Sequence, residues 1–130
     1  MRPARTLASA VVALALSAGV TWAFEEKPFD VDAFKAAQSA GKPILVDAYA
    51  SWCPVCRAQQ TVLGDLKQNP KYDALTLFRI DYDSQADALK DLKIQKQSTL
   101  VAFKGAQETG RSVGATKASA IEELVTSALN

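Results

Sequence analysis

The stretch Ile44-Leu45-Val46-Asp47-Ala48-Tyr49-Ala50-Ser51-Trp52-Cys53-Pro54-Val55-Cys56-Arg57 decides how the rest of the chain is read. Ile44 to Val46 is a continuous apolar run, of the kind a strand needs when both its faces are covered. Asp47 follows directly, a carboxylate at the end of a segment built for a dry interior. Tyr49 to Trp52 read as a loop. A helix is predicted to start near Cys53, because Pro54 suits a first turn, where its missing N–H costs nothing. A helix start favours a thiolate, since its unpaired N–H groups and dipole stabilise negative charge. Cys53 is therefore predicted to be the more acidic and more exposed nucleophile. Cys56, one turn deeper, is placed to attack a mixed disulfide on Cys53 and release the partner. Pro54-Val55 supply no histidine or other cation to hold the thiolate, which argues against an extreme oxidant. Behind Cys56, Asp47 would take that thiol's proton, because burial raises a carboxyl pKa towards neutrality. The plainer alternative for Asp47 is a solvated loop residue or a local cap.

Composition narrows the chemistry further. A chain of 130 residues has room for one compact domain. The formal net charge is +1 with no long block of either sign, so nothing points to nucleic acid as a partner. Histidine is absent, which removes Ser–His and Cys–His nucleophile pairs and nearly every common catalytic zinc site. Cys53 and Cys56 are the only two cysteines.

At the front, Arg2 and Arg5 precede an apolar run from Leu7 to Val20, and Phe24-Glu25-Glu26 follows. Residues 1–23 read as a secretory signal peptide, with Thr21-Trp22-Ala23 placing cleavage after Ala23. The alternative is an uncleaved anchor, although the run is shorter than the ~20 residues a spanning helix needs. On either reading, residues 24–130 form a domain outside the cytoplasm, periplasmic or tethered to the membrane. No cysteine follows the apolar run, which excludes lipid attachment there.

Along that domain, Phe24 to Pro28 read as an extended lead-in. Asp30 caps a helix through about Ala40, with Val31, Phe34 and Ala37 on one face. Gly41 ends it. The helix after Cys53 shows Ala58, Val62 and Leu66 at helical spacing, with Leu63 beside them, and Asn69-Pro70 breaks it. Leu75 to Ile80 is a strand, Ser84 to Leu92 a helix, Thr99 to Phe103 a strand and Thr109 to Val113 another. Thr116 caps a last helix carrying Ile121, Leu124, Val125 and Ala128 on one face. The order α-β-α-β-α-β-β-α predicts an α/β domain, a central mixed sheet with helices on both faces. Tyr72 and Tyr82 read as ordinary packing, Tyr49 as packing near the site, and Arg57 as part of a solvated helix face.

The segment from Ile44 to Arg57 closely resembles the active-site segment of thioredoxins, in which a strand ends in a buried Asp and Trp-Cys-x-x-Cys opens the second helix. The similarity extends over Asp30 to Asn130. Arg79-Ile80-Asp81 matches the end of the central strand, Thr99 to Gly105 the strand after the family's cis-proline, and Val113-Gly114-Ala115 the turn before the last helix. The resemblance implies a thioredoxin-like fold, with Cys53 as nucleophile, Cys56 as resolving thiol and Asp47 as proton carrier. It implies no cofactor beyond a redox-active Cys53–Cys56 disulfide. Substrate would dock on Trp52, Pro54 and Val55 and on the loop Gln97-Ser98-Thr99. Three departures stand out. Pro54-Val55 replace the usual Gly-Pro, Ser98 occupies the cis-proline position, and the family's first strand is short or missing. A cis bond before a non-proline costs several kcal/mol, which leaves Gln97–Ser98 trans or strained. The Asp-x-Tyr-Ala-x-Trp-Cys run is similar to exported and membrane-tethered envelope reductases, including the C-terminal domain of DsbD-type transporters.

Three duller readings fit the residues less well. A structural disulfide closing so short a loop gains little chain entropy. A soft-metal carrier, for copper, would have two thiolates but no third soft ligand, since Met1 is the only methionine. A purely substrate-holding module would not need Cys53 and Cys56. In an oxidising compartment, the missing histidine in the CxxC and the resemblance to envelope reductases imply a reductant of oxidised envelope protein thiols or an isomerase-supporting role, supplied with electrons by a membrane transporter.

Overall fold

The computed structural model of the chain describes residue 3, residues 13–15 and residues 24–130. The segment read as a signal peptide, and its cleavage point after Ala23, otherwise lie outside the described residues. Nine helices and strands follow along the described residues: β1 (Glu25–Pro28), α1 (Val31–Ser39), β2 (Pro43–Tyr49), α2 (Pro54–Lys67), β3 (Thr76–Asp81), α3 (Ala86–Asp91), β4 (Thr99–Lys104), β5 (Gln107–Val113) and α4 (Ala118–Leu129). A single 3-10 turn over Pro70–Tyr72 follows the Asn69-Pro70 break. The strands form one sheet in the order β1-β3-β2-β4-β5. β1 and β2 both run parallel to β3, whereas β4 is antiparallel to β2 and to β5. The mixed sheet with helices on both faces is therefore the predicted architecture.

The two faces follow from the period of two along each strand. Leu45, Leu77, Leu100 and Ala102 pack with Leu63 and Leu66 of α2 and with Ile121, Val125 and Ala128 of α4. Ile44, Val46, Ala48, Phe78, Ile80, Val101 and Phe103 face the other way, onto Phe34 and Ala37 of α1 and Leu89 of α3. The centre of that second layer is aromatic. Phe34 meets Phe78 and Phe103 edge-on, with ring centroids 5.7 and 5.4 Å apart. Such pairs add roughly 0.5–1.5 kcal/mol each beyond area burial.

Several local expectations are corrected. The lead-in is a strand: β1 hydrogen-bonds along β3 from Glu25↔Thr76 to Pro28↔Arg79. Its sequence gave no alternation because an edge strand of Glu, Lys and Pro is held by backbone pairing and by ion pairs of Glu26 with Lys67 and Arg79. Val31 and Ala58 are exposed, so α1 turns inward on Phe34 and Ala37, and α2 on Cys56, Gln59, Leu63 and Leu66. Thr116 does not cap α4. Lys117 stands at that position without a side-chain cap bond. The predicted strand at Thr109 begins earlier, at Gln107, because Gly105, at φ +58°, turns β4 straight back into a hairpin.

Candidate active site around Cys53 and Cys56

β2 and α2 build the site between them. Asp30-type capping chemistry is replaced at α2 by sulfur: Cys53 is the N-cap residue, in extended conformation, and its Sγ accepts the Cys56 N–H at 3.1 Å. Pro54 is at the first helical position, as predicted. Cys53 and Cys56 are joined as a disulfide with Cα atoms 5.3 Å apart. Cys56 is fully buried and Cys53 only 2 % exposed. The expectation of an open Cys53 is thus corrected for the disulfide form, where Tyr49, Ala50 and Tyr82 pack around the pair. Cys53 remains the more exposed of the two residues by that small margin.

Asp47 lies inside β2 rather than after it, and is fully buried. It shares the face of Leu45, towards α2. Its Oδ2 accepts a 2.8 Å hydrogen bond from Gln60 Nε2 and stands 3.8 Å from Arg79 Nε. Oδ1 has no hydrogen-bond partner. Burial pushes the carboxyl up from 3.8 to about 6, against the pull of the Gln60 hydrogen bond and of the Arg79 charge. The residue after it, Ala48, presents the carbonyl that Cys56 Sγ faces at 3.9 Å. A carboxyl poised near neutrality is thereby set in the strand whose carbonyl Cys56 faces.

The residues expected to dock substrate divide. Trp52 is 53 % exposed and Pro54 and Val55 lie at the surface beside the disulfide. Trp52 is aimed by its indole N–H, which donates to both carboxylate oxygens of Asp83 at 3.1 and 3.0 Å, and by an edge contact with Tyr82. Gln97 is half-buried, and Ser98 and Thr99 are buried. Thr99 donates its hydroxyl to the Lys96 carbonyl at 2.7 Å, so its side chain is spent inside the fold. No peptide bond among the described residues is cis, so Gln97–Ser98 is trans. The local demand falls instead on Ser98, which adopts φ +61°. A non-glycine residue pays roughly 1–2 kcal/mol for that region. Three hydrogen bonds hold it there: Ser98 N–H to Ala48 O at 2.8 Å, Gly114 N–H to Ser98 O at 3.0 Å, and Gln59 Nε2 to Ser98 O at 3.0 Å.

Sequence reasoning missed Gln59, Gln60, Arg79, Tyr82 and Asp83. Gln59 had a signal: Cys56, Gln59, Leu63 and Leu66 recur at helical spacing, and a polar residue in that row is bound for the interior. Its amide also donates to Ala115 O at 3.0 Å, tying two loops to α2. The partnership of Asp47 with Arg79 had none, since it depends on the register that sets them opposite each other across β2 and β3. Arg57, read as solvated, donates to the Ser51 carbonyl at 3.0 Å. Among the described residues, no group of three or more His, Cys, Asp or Glu side chains converges as a metal cage.

The thioredoxin family model matches residues 25–127. The chain is 31% identical over 111 residues to the bifunctional thioredoxin reductase/thioredoxin of Mycobacterium leprae, covering 85% of this chain and 23% of that protein. It is 41% identical over 71 residues to the thiol:disulfide interchange protein DsbE of Pasteurella multocida, covering 54% of this chain and 35% of that protein. The match thus spans well under half the length of either relative. Among solved structures, Trxlp from Edwardsiella tarda EIB202 superposes with a TM-score of 0.75 at 39% identity, covering 78% of this chain and 98% of that one.

Proposed function

The chain belongs to the thioredoxin family, whose members are thiol–disulfide oxidoreductases acting on oxidised protein thiols, and from that premise we propose that it reduces disulfides of envelope proteins outside the cytoplasm. The observation that carries the reading is the seat of the cysteine pair. Cys53 caps α2 at the surface side, Cys56 lies sealed behind it, and a buried carboxyl near neutrality sits in the adjacent strand. In the reduced protein the Cys53 thiolate, stabilised by the N–H groups of α2, attacks one sulfur of a substrate disulfide. That S–S bond breaks, a new one joins Cys53 to the substrate, and the other substrate sulfur leaves as a thiolate. Cys56 then gives its proton to Asp47 and attacks Cys53 Sγ. The mixed disulfide breaks, the Cys53–Cys56 disulfide forms, and the second substrate sulfur departs. The substrate gains two electrons and the protein loses them.

The reducing direction is supported by Pro54-Val55, which bring no cation to stabilise the Cys53 thiolate in the manner of a strong oxidant. The compartment is supported by the signal-peptide pattern of residues 1–23. Outside the cytoplasm no soluble thiol pool regenerates the pair, so electrons would come from a membrane transporter of the DsbD type. Equilibration of the pair against glutathione or dithiothreitol tests the reading. A potential well below about −180 mV makes it an electron donor, and one near ~−120 mV would make it a disulfide donor instead. Stoichiometric copper in the same sample, with no exchangeable disulfide, would replace both by the carrier function. Cys56→Ser should accumulate mixed disulfides through Cys53 that are visible on non-reducing gels. Their absence would count against the two-step exchange.

A further inference from the structure

We infer that Gln60 is a positioning residue for the proton transfer: it presents Asp47 to Cys56 with Oδ2 fixed and Oδ1 as the oxygen that takes and returns the proton. The inference rests on the reading of Asp47 as proton carrier and adds a residue and an atom to it.

The argument begins with the direction of the Gln60 amide. Oxygen and nitrogen of an amide are told apart by their partners. The guanidinium of Arg79 can only donate, and its Nη2 meets Gln60 Oε1. That contact obliges the NH2 end of Gln60 to face Asp47, where it donates to Oδ2 at 2.8 Å. An oxygen that accepts from an amide N–H is a poor place for a proton. Oδ1, buried and without a partner, is the remaining site.

Arg79 does not take over this task. Its Nη2 is ion-paired with Glu26 Oε1 at 2.5 Å, and its guanidinium carbon lies 4.5 Å from the centre of the Tyr49 ring. So held, its Nε stays 3.8 Å from Oδ2 and makes no hydrogen bond. The groups gathered around the carboxylate are therefore Arg79 from β3 and Gln60 from α2. Behind them stand Glu26 from β1, Lys67 from α2 (which pairs with Glu26) and Tyr49 from β2. Among the described residues, Gln60 gives Asp47 its only side-chain hydrogen bond. Gln60 also lies four residues after Cys56, on the same face of α2, so the thiol and the amide sit one turn apart over the strand that carries Asp47.

Removing the amide donor withdraws the hydrogen bond that favours the carboxylate and leaves burial in place. The experiment is stopped-flow reaction of the reduced protein with dithionitrobenzoate. It releases thionitrobenzoate first on attack by Cys53 and again on resolution by Cys56. In Gln60→Met, the acid limb of the second release should move up by about one pH unit, leaving that step roughly five-fold slower near pH 6 and unchanged above about pH 8. Gln60→Glu, isosteric but anionic, should move the limb at least as far, and carries the test if the methionine variant fails to fold. A limb that stays in place or moves down in both variants overturns the role of Gln60. Asp47→Asn, run alongside, separates the two readings. If it abolishes the limb while the Gln60 variants leave it unmoved, only the positioning role fails. If the limb persists in Asp47→Asn, the proton-carrier reading fails with it.

Discussion

At the scale of single residues, the burial of Asp47 makes stability depend on pH. Its carboxyl titrates at 3.8 when exposed and at about 6 in the fold, where burial outweighs Gln60 and Arg79. Well below pH 4 it is protonated in folded and unfolded chains alike, so its titration does not shift their balance. Between about pH 4 and pH 6 the unfolded chain releases the proton first, and stability falls as pH rises through that window. Above it the penalty is constant. Asp47→Asn keeps an acceptor for Gln60 and removes the charge, and should stabilise the protein at pH 7.5 by up to about 3 kcal/mol. Urea unfolding should show that gain shrinking to nothing near pH 4. A gain independent of pH would mean that desolvation is not its cause. The same residue shows how much of the site was legible. Cys53, Cys56 and Asp47 could be read from spacing, because a helix start and an apolar run are local. Gln60 and Arg79 could not, because what they do is decided by which residues a folded sheet sets opposite each other.

At the scale of elements, α2 does more than present the cysteines. Through Gln59 it ties the Ser98 loop and the turn at Ala115 to a single helix. Gln59→Leu keeps the buried volume but withdraws both amide hydrogens. Amide exchange at Ser98 and Gly114 should quicken about ten-fold, while β2 and β3 keep their protection. Equal exchange in variant and parent would show that Ser98 is held by its neighbours' backbone alone. Helices and central strands were legible because periodicity reports burial. β1 and the start of β5 were not, since edge strands of polar residues are set by pairing partners distant in sequence. Ser98 likewise hid its conformation. Nothing in a serine announces a positive φ, and the three hydrogen bonds that impose it come from β2, α2 and the turn after β5.

For the molecule as a whole, two apolar layers grip one sheet, and the chemistry is confined to the end where β2 hands over to α2. Among the described residues no helix is long and apolar enough to cross a membrane. Expression of the full chain should yield a mature protein that begins at Phe24, read by N-terminal sequencing. Recovery of the intact N-terminus in the membrane fraction would select the tethered form instead. The indole of Trp52, held by Asp83 and lying next in sequence to Cys53, can also report on the disulfide. Disulfides quench excited indoles at close range, and the only other tryptophan, Trp22, lies in the segment read as a signal peptide. In a chain cleaved after Ala23, Trp52 would be the single tryptophan, next in sequence to the reactive bond. Emission should brighten as the pair is reduced and dim as it is oxidised, so that light alone would follow each turnover in unlabelled protein.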